Sequence, residues 1–359
     1  MQHFENQDQP QKLLDFKSGG WVIVAGIMLS LLFLSVLLWN AVRNENQVIG
    51  DRRNPETYGF DLTPSLIPPE QIIAAIPRDN IPTLNHPDFI SPAEADRINE
   101  EERGKYLVPS DLVVGILYQG EARAYPLRVL NWHEIVNDTI GDIPIAVTYN
   151  PLSNSTVLFD RRVNGKTIEL GLSGLLFNSS HLYYDRQPQS SGESLWSQLL
   201  AKAVTGPAAE ANLQLEILPC TITHWQEWRK RHPETRVLAP LEEFKKRYKM
   251  NPYGSYYSSD LLRYPVDPLP QGPVSYKMPV LVLKQDEQQH TYTFKFAAEQ
   301  AGPRQFWTAP NGFEDIQIRY LPDPPAVDLL NLSLDHPLDV IYTFWFAWYA
   351  HNPESQLNL

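Results

Sequence analysis

The chain of 359 residues holds one cysteine, Cys220. A lone thiol excludes an internal disulfide framework and a cysteine-built zinc or iron–sulfur site. Positive charge is also short. Thirty Lys and Arg stand against 42 Asp and Glu, and a net charge of −12 argues against a basic face for nucleic acid. Glycine is scarce beside proline, 18 against 31, which favours short strands and loops over long helices. Neither a Gly-x-Ser-x-Gly elbow nor a phosphate-loop pattern occurs, so a serine hydrolase or nucleotide enzyme has little support. Apolar residues make up 43% and charged residues 20%, the balance of a chain that folds around a core.

One apolar run stands out. Residues 18–42 carry no charge, and 21–39 are long enough to cross a bilayer as a helix, with Trp21 and Trp39 at the positions of an aromatic belt. No small-residue cleavage site follows, which favours an uncleaved anchor over a signal peptide. Lys12 and Lys17 precede the span and Arg43, Arg52 and Arg53 follow it, so positive charge does not choose a side. In residues 1–43 Lys12, Lys17 and Arg43 balance Glu5, Asp8 and Asp15, leaving the whole −12 to residues 44–359.

The expected organisation is a short tail (1–18), a transmembrane helix (19–42), a linker and extended lead-in (43–104), a motif-bearing first half (105–240), a connection (241–269) and a second half (270–359). Alternating residues in 112–118 and 122–125 around Gln119-Gly120 predict a hairpin, and Pro126 opens a predicted helix reaching Asn137. Residues 145–149 read as a short strand, and Asn164-Gly165 predicts a tight hairpin joining 156–160 to 167–172. Helices are expected over 193–203 and after Thr223, whose hydroxyl would cap the second with Gln226 in the capping-box position. Residues 340–350 read as a buried helix. The fold class expected is α+β, mostly antiparallel sheet with short helices, in two related unequal halves behind one N-terminal transmembrane helix.

The halves are suggested by self-similarity. Residues 205–219, from Thr205-Gly-Pro to Leu-Pro219, match 308–322 without a gap, with Leu213, Leu215 and Ile217 against Ile316, Ile318 and Tyr320. Trp225-x-x-Trp228-x-x-x-His232-Pro-Glu matches Trp345-x-x-Trp348-x-x-x-Asn352-Pro-Glu, most simply as core packing. The hairpin 280–296 matches 157–172 and 113–127 almost equally well. Segments 131–138 and 173–204 carry polar extras that the second half lacks, so a site is expected in the first half.

If 131–138 is helical, His133 shares a face with Asn137, and Glu134 with Asp138. His133 and Glu134 could then supply acid/base chemistry, or two metal ligands with His181 as a third group. Residue 137 is Asn, so this is not a zinc-protease motif. The plainer alternative is a capped helix end with His133 as a packing residue. Ser173-Gly174 and Asn178-Ser-Ser-His181 could line a pocket or form a turn. Asp185-Arg186 reads as a charge pair at a strand end, and Lys245-Lys-Arg247 as a solvated face.

Several segments together resemble a bacterial domain-of-unknown-function family, number 3179. They are Ala122-Arg-Ala-Tyr125-Pro-Leu, Asn131-Trp-His-Glu-Ile-Val-Asn-Asp, Leu172-Ser-Gly-Leu-Leu-Phe-Asn-Ser, Tyr184-Asp-Arg, Ser194-Leu-Trp-Ser-Gln, Tyr253-Gly-Ser-Tyr-Tyr and Phe344-Trp-Phe-Ala-Trp. The resemblance runs over about 80–355 and implies an exported or membrane-anchored protein without supplying an activity. Family members commonly carry Tyr-Cys-Pro-Leu-Cys where this chain has Tyr149-Asn-Pro-Leu-Ser153. Asn150 and Ser153 therefore stand where two thiols would be, and neither suits thiol exchange or soft-metal binding.

The expected function is a non-catalytic binding or assembly protein, anchored by residues 19–42 in the bacterial inner membrane. Its body would lie on the periplasmic or outer side and could meet a membrane or extracytoplasmic protein partner. Candidate ligand or partner contacts are Tyr125, Asn131, His133, Glu134, Tyr149, Asn150, Ser153, Ser173, Asn178, His181, Asp185 and Arg186. No cofactor and no nucleic-acid partner are expected. The alternative is an enzyme or metal-site protein using His133 and Glu134. Convergence of His133, Glu134, Tyr149 and His181 in one cleft is the geometric test between a site and none.

Overall fold

A computed structural model describes residues 20–43, 49–101, 105–188, 192–310, 313 and 315–359. It forms two compact units divided after residue 48. The expected tail 1–18, with Lys12 and Lys17, and the start of the linker at 44–48 lie outside the described residues, as does the side chain of Trp39. The apolar run forms the helix Gly20–Arg43, with side chains described from residue 21 to 36. Over the described residues alone, no helix is long and apolar enough to cross a membrane.

The second unit is mixed α+β, dominated by sheet with short helices between strands. A nine-stranded sheet begins Leu84–Asn85, Ile135–Ile140, Ile143–Asn150 and Ser155–Asp160. It continues through Asp339–Phe344, Pro279–Gln285 and Gln288–Thr293 to Leu357–Asn358, with Glu216–Leu218 beside Ser155–Asp160. A five-stranded sheet orders Ile73–Ala74, Leu170–Phe177, Ser180–Asp185, Leu195–Ser197 and Lys202–Thr205. A second orders Thr221–His224, Leu112–Tyr118, Glu121–Pro126, Arg236–Leu238 and Phe89–Ile90. A three-stranded sheet holds Phe306–Thr308, Gln317–Pro322 and Pro325–Leu330.

Two surroundings are alike. The hairpin of Leu112–Tyr118 and Glu121–Pro126 has Thr221–His224 antiparallel on its first strand and Arg236–Leu238 parallel on its second. The hairpin of Pro279–Gln285 and Gln288–Thr293 has Asp339–Phe344 antiparallel on its first strand and Leu357–Asn358 parallel on its second. In both, the antiparallel strand runs straight into a Trp-bearing helix, Trp225–Arg231 or Trp345–His351, whose tryptophans are buried. The segment 157–172 has no such surroundings. The Asn164-Gly165 turn forms, but its arms are only Arg162–Val163 and Lys166–Thr167, and the longer strands on either side go to different sheets.

Several expected elements differ. The helix expected from Pro126 to Asn137 is Leu127–His133, and Ile135–Ile140 is a strand rich in β-branched residues. His133 and Asn137 therefore do not share a helix face, nor do Glu134 and Asp138. The helix expected over 193–203 is instead the strands Leu195–Ser197 and Lys202–Thr205, drawn into pairing by Ser180–Asp185. Thr223 lies in a strand and caps nothing. The amides of Trp225 and Gln226 donate instead to the carbonyls of Asp111 and Pro109, 2.8 and 2.9 Å away. Within the matched segment 205–219, the only strand beyond Lys202–Thr205 is Glu216–Leu218. The buried helix expected over 340–350 is a strand to Phe344 followed by the helix Trp345–His351.

Candidate functional site

Glu134 stands at the joint where the helix Leu127–His133 becomes the strand Ile135–Ile140. It closes the helix at φ 58° and ψ −32°, a positive φ that a side chain makes costly. Its amide donates to the Leu130 carbonyl at 2.8 Å, and its carbonyl accepts from the Tyr149 amide at 2.7 Å, so the backbone is held from both sides. The carboxyl group is fully buried and neither oxygen is met by a well-aligned hydrogen bond.

Facing it is His181. The strands Leu170–Phe177 and Ser180–Asp185 are joined by Asn178-Ser179, both at positive φ, as a two-residue hairpin turn of the primed type requires. This turn starts the second strand so that the His181 ring is buried with Nε2 3.1 Å from Glu134 Oε2. Its Nδ1 also lacks a partner. Burial pushes the Glu134 carboxyl well above its ordinary value, with the Tyr253 hydroxyl pulling weakly the other way. Burial pushes the His181 imidazole down to about 4. The pair thus favours its uncharged forms.

Tyrosines surround this pair. Tyr183, whose hydroxyl is buried and unpartnered, and Tyr149 are both raised by burial, with the Glu134 charge adding to each. Tyr149 shares its hydroxyl with Tyr257 at 3.0 Å and donates to Asn154 Oδ1 at 2.9 Å. The short helix Gly254–Tyr257 is tied to the 150–153 turn, Tyr256 and Tyr257 donating to the carbonyls of Leu152 and Pro151, each at 2.9 Å. Lys277 anchors the far end of that segment by donating to the carbonyls of Tyr256, Ser259 and Leu261 at 2.5, 2.6 and 2.8 Å. A pocket of about 70 Å³ opens here, lined by His181, Tyr253, Arg263 and Tyr264 and by apolar residues that include Ile76 and Leu152.

The structure brings together Glu134, Tyr149 and His181 from the sequence candidates, with Asn150 alongside through Ser180 Oγ at 3.1 Å. It separates His133. That ring turns away from Glu134, with Nδ1 2.8 Å from the Pro82 carbonyl, Nε2 2.7 Å from the Tyr248 hydroxyl and Phe244 packed at 4.5 Å. Both ring nitrogens are occupied, so His133 packs, and the expected His133–Glu134 unit is corrected to Glu134–His181. Tyr125 belongs to another network, donating to Asp138 Oδ2 at 2.7 Å beside Arg123. Ser153 shares a hydroxyl contact with Ser155 at 2.7 Å, and Ser173 donates to the Leu182 carbonyl. Asn178 donates to the Ala350 carbonyl at 3.3 Å and accepts from the Asp267 amide at 2.9 Å. Asp185 accepts from the Ser194 amide and the Trp196 indole at 2.7 and 2.9 Å, and Arg186 bridges to Asp79 and Glu169. Asn131, half-buried on its helix, has an unpartnered Oδ1. These side chains hold turns and strand ends rather than the pocket.

Sequence reasoning missed Tyr253, Arg263 and Tyr264 as lining groups. The signal was the Tyr253-Gly-Ser-Tyr-Tyr motif, whose place in space the sequence does not show. Among the described residues no group of three His, Cys, Asp or Glu side chains could hold a metal ion. Cys220 is buried, its thiol pushed up to about 12 by burial. A wider groove of about 880 Å³ lies between the helices Pro92–Glu101 and Trp225–Arg231, where Arg229 pairs with Asp96 at 2.7 Å; none of the candidates lines it.

No curated protein and no solved structure matches this chain. The family described as "Protein of unknown function (DUF3179)" matches residues 78–323, a span that takes in Glu134, Tyr149, His181, Tyr253 and Arg263. The chain belongs to the DUF3179 family.

Proposed function

We propose that this chain is a membrane-anchored extracytoplasmic binding protein that holds a small ligand against the Glu134–His181 pair. One observation carries the reading. Two ionisable side chains are buried facing each other at 3.1 Å, with His181 Nδ1 unpartnered, next to an open pocket. Buried polar groups in folded proteins are almost always satisfied, so an unsatisfied cluster beside a pocket marks a place for a ligand. Backbone strain at Glu134 supports the same place, since strain of this kind persists where function requires a side chain. Asn150 and Ser153 are already engaged inside the protein, so neither stands free as a nucleophile.

Anchoring is supported by the uncharged apolar run of residues 18–42, most of which lies in the helix Gly20–Arg43. The equivalent surroundings of the two hairpins support an origin of the halves from one duplicated unit.

The test uses the full chain purified in mild detergent. Small molecules and metals released on denaturation are measured by mass spectrometry for wild type, Glu134→Gln and His181→Ala. Near one equivalent of a single species in wild type, lost in both variants, is expected; equal content in all three would sink the reading. A second reading, acid/base catalysis by Glu134 and His181, is favoured by the opposite directions in which burial moves the two groups. Turnover abolished by Glu134→Gln would select it.

A further inference from the structure

We infer that the occupant of this pocket is a small carboxylate, its oxygens toward Arg263, Tyr253 and His181 and its alkyl end toward the apolar wall; this rests on the binding reading above. The pocket is rich in donors. Arg263, Tyr253, Tyr264 and His181 all line it, and every one offers an N–H or O–H. A ligand that accepts several hydrogen bonds fits this arrangement; one that only donates does not.

Arg263 supplies the sign of the charge. It is exposed at the pocket and has no acidic partner among the described residues, while its guanidinium lies over the Tyr256 ring with 5.5 Å to the centroid. A guanidinium's planar fork matches a carboxylate through two parallel hydrogen bonds. The same charge opposes a metal cation, for which Glu134 and His181 offer only two ligating side chains.

Size and polarity narrow the class. The pocket is small, about 70 Å³, which suits a short carboxylate. The wall of Ala75, Ile76, Ile81 and Leu152 offers no hydrogen bond from its side chains. A tetrahedral oxyanion would turn an oxygen to that wall and leave it unsatisfied, whereas a methyl group loses nothing there.

The probe is acetate, titrated by calorimetry into the full chain in detergent at pH 7, beside sulfate, acetamide and Zn²⁺. Acetate is expected to bind at one site, at least tenfold more weakly in Arg263→Met, Arg263→Lys and His181→Ala. Sulfate and acetamide should bind at least tenfold more weakly than acetate to wild type. Arg263 is exposed, so its variants keep the fold, and a thermal melt checks this. Acetate binding unchanged in Arg263→Met, or sulfate or acetamide binding as well as acetate, would overturn the inference. Binding of Zn²⁺ or acetamide alone, lost in His181→Ala, would overturn it while leaving the binding reading standing. If no probe separates wild type from His181→Ala, both fall.

Discussion

At the scale of single residues, the site is a collection of costs. Glu134 combines positive φ with a buried carboxyl that no well-aligned hydrogen bond meets, each of which lowers stability. Its folded-state pKa lies above the ordinary carboxylate value, so its contribution is most favourable at low pH, where the carboxyl is protonated in both states. That contribution is lost as pH rises above about 4.5. Glu134→Gln removes the titration and keeps the shape. We expect the variant to be more stable than wild type at pH 7 by about 1–3 kcal/mol and nearly equal at pH 4, measured by urea midpoints. His181 behaves oppositely. Its folded value of about 4 lies below the ordinary 6.5, so stability is lost as pH falls from about 6.5 toward 4, by up to about 3 kcal/mol. His181→Asn should flatten that part of the pH–stability curve; an unchanged slope would count against a neutral buried imidazole. The polar candidates were legible as residues: Glu134, Tyr149 and His181 stand out in sequence as uncommon side chains in apolar surroundings. Their meeting was not legible, because it depends on Glu134 breaking the helix at a position where local propensity continues it.

At the scale of elements, the hairpin around Gln119-Gly120 was readable because turn chemistry and alternation agree. Residues 135–140 and 195–205 were misread because strand neighbours distant in sequence override weak helical patterns. The tryptophan pairs were readable as core, and their packing sets a sharp constraint. Leu112–Tyr118 passes so close to Trp228 that a Cβ on Gly115 would lie 2.4 Å from its ring. Neither strand nor helix can yield easily, since both are buried on this face. Gly115→Ala should destabilise the chain by about 1–3 kcal/mol, read as a lowered melting midpoint, and Trp228→Leu in the same chain should recover part of the loss.

At the scale of the whole unit from residue 49 onward, the halves share structure that the sequence does not announce. Tyr342 of the second half registers against Thr156 of the first inside one continuous sheet. Asp328, fully buried, receives Arg231 at 2.8 Å and Arg319 at 2.7 Å, with Thr221 donating at 3.1 Å. Arg231 and Thr221 come from the first half and Arg319 from the second, so a single carboxylate joins them. Asp328→Ala would leave two guanidinium groups without their buried partner, and a loss of about 3 kcal/mol is expected in chemical denaturation. A change within about 0.5 kcal/mol would show that the network contributes little. Self-similarity in sequence marks neither contact, because it aligns positions with one another and these pairs are not aligned positions.

The poorly satisfied pair of Glu134 and His181 also bears on how long the protein survives in a cell. A ligand that satisfies these groups adds stability in proportion to the logarithm of its concentration over its dissociation constant. A chain carrying such a built-in deficit opens more often when the ligand is scarce, and open chains are what proteases remove. The steady amount of this protein would then follow the supply of its ligand, turning a local defect in hydrogen bonding into a gauge of that supply.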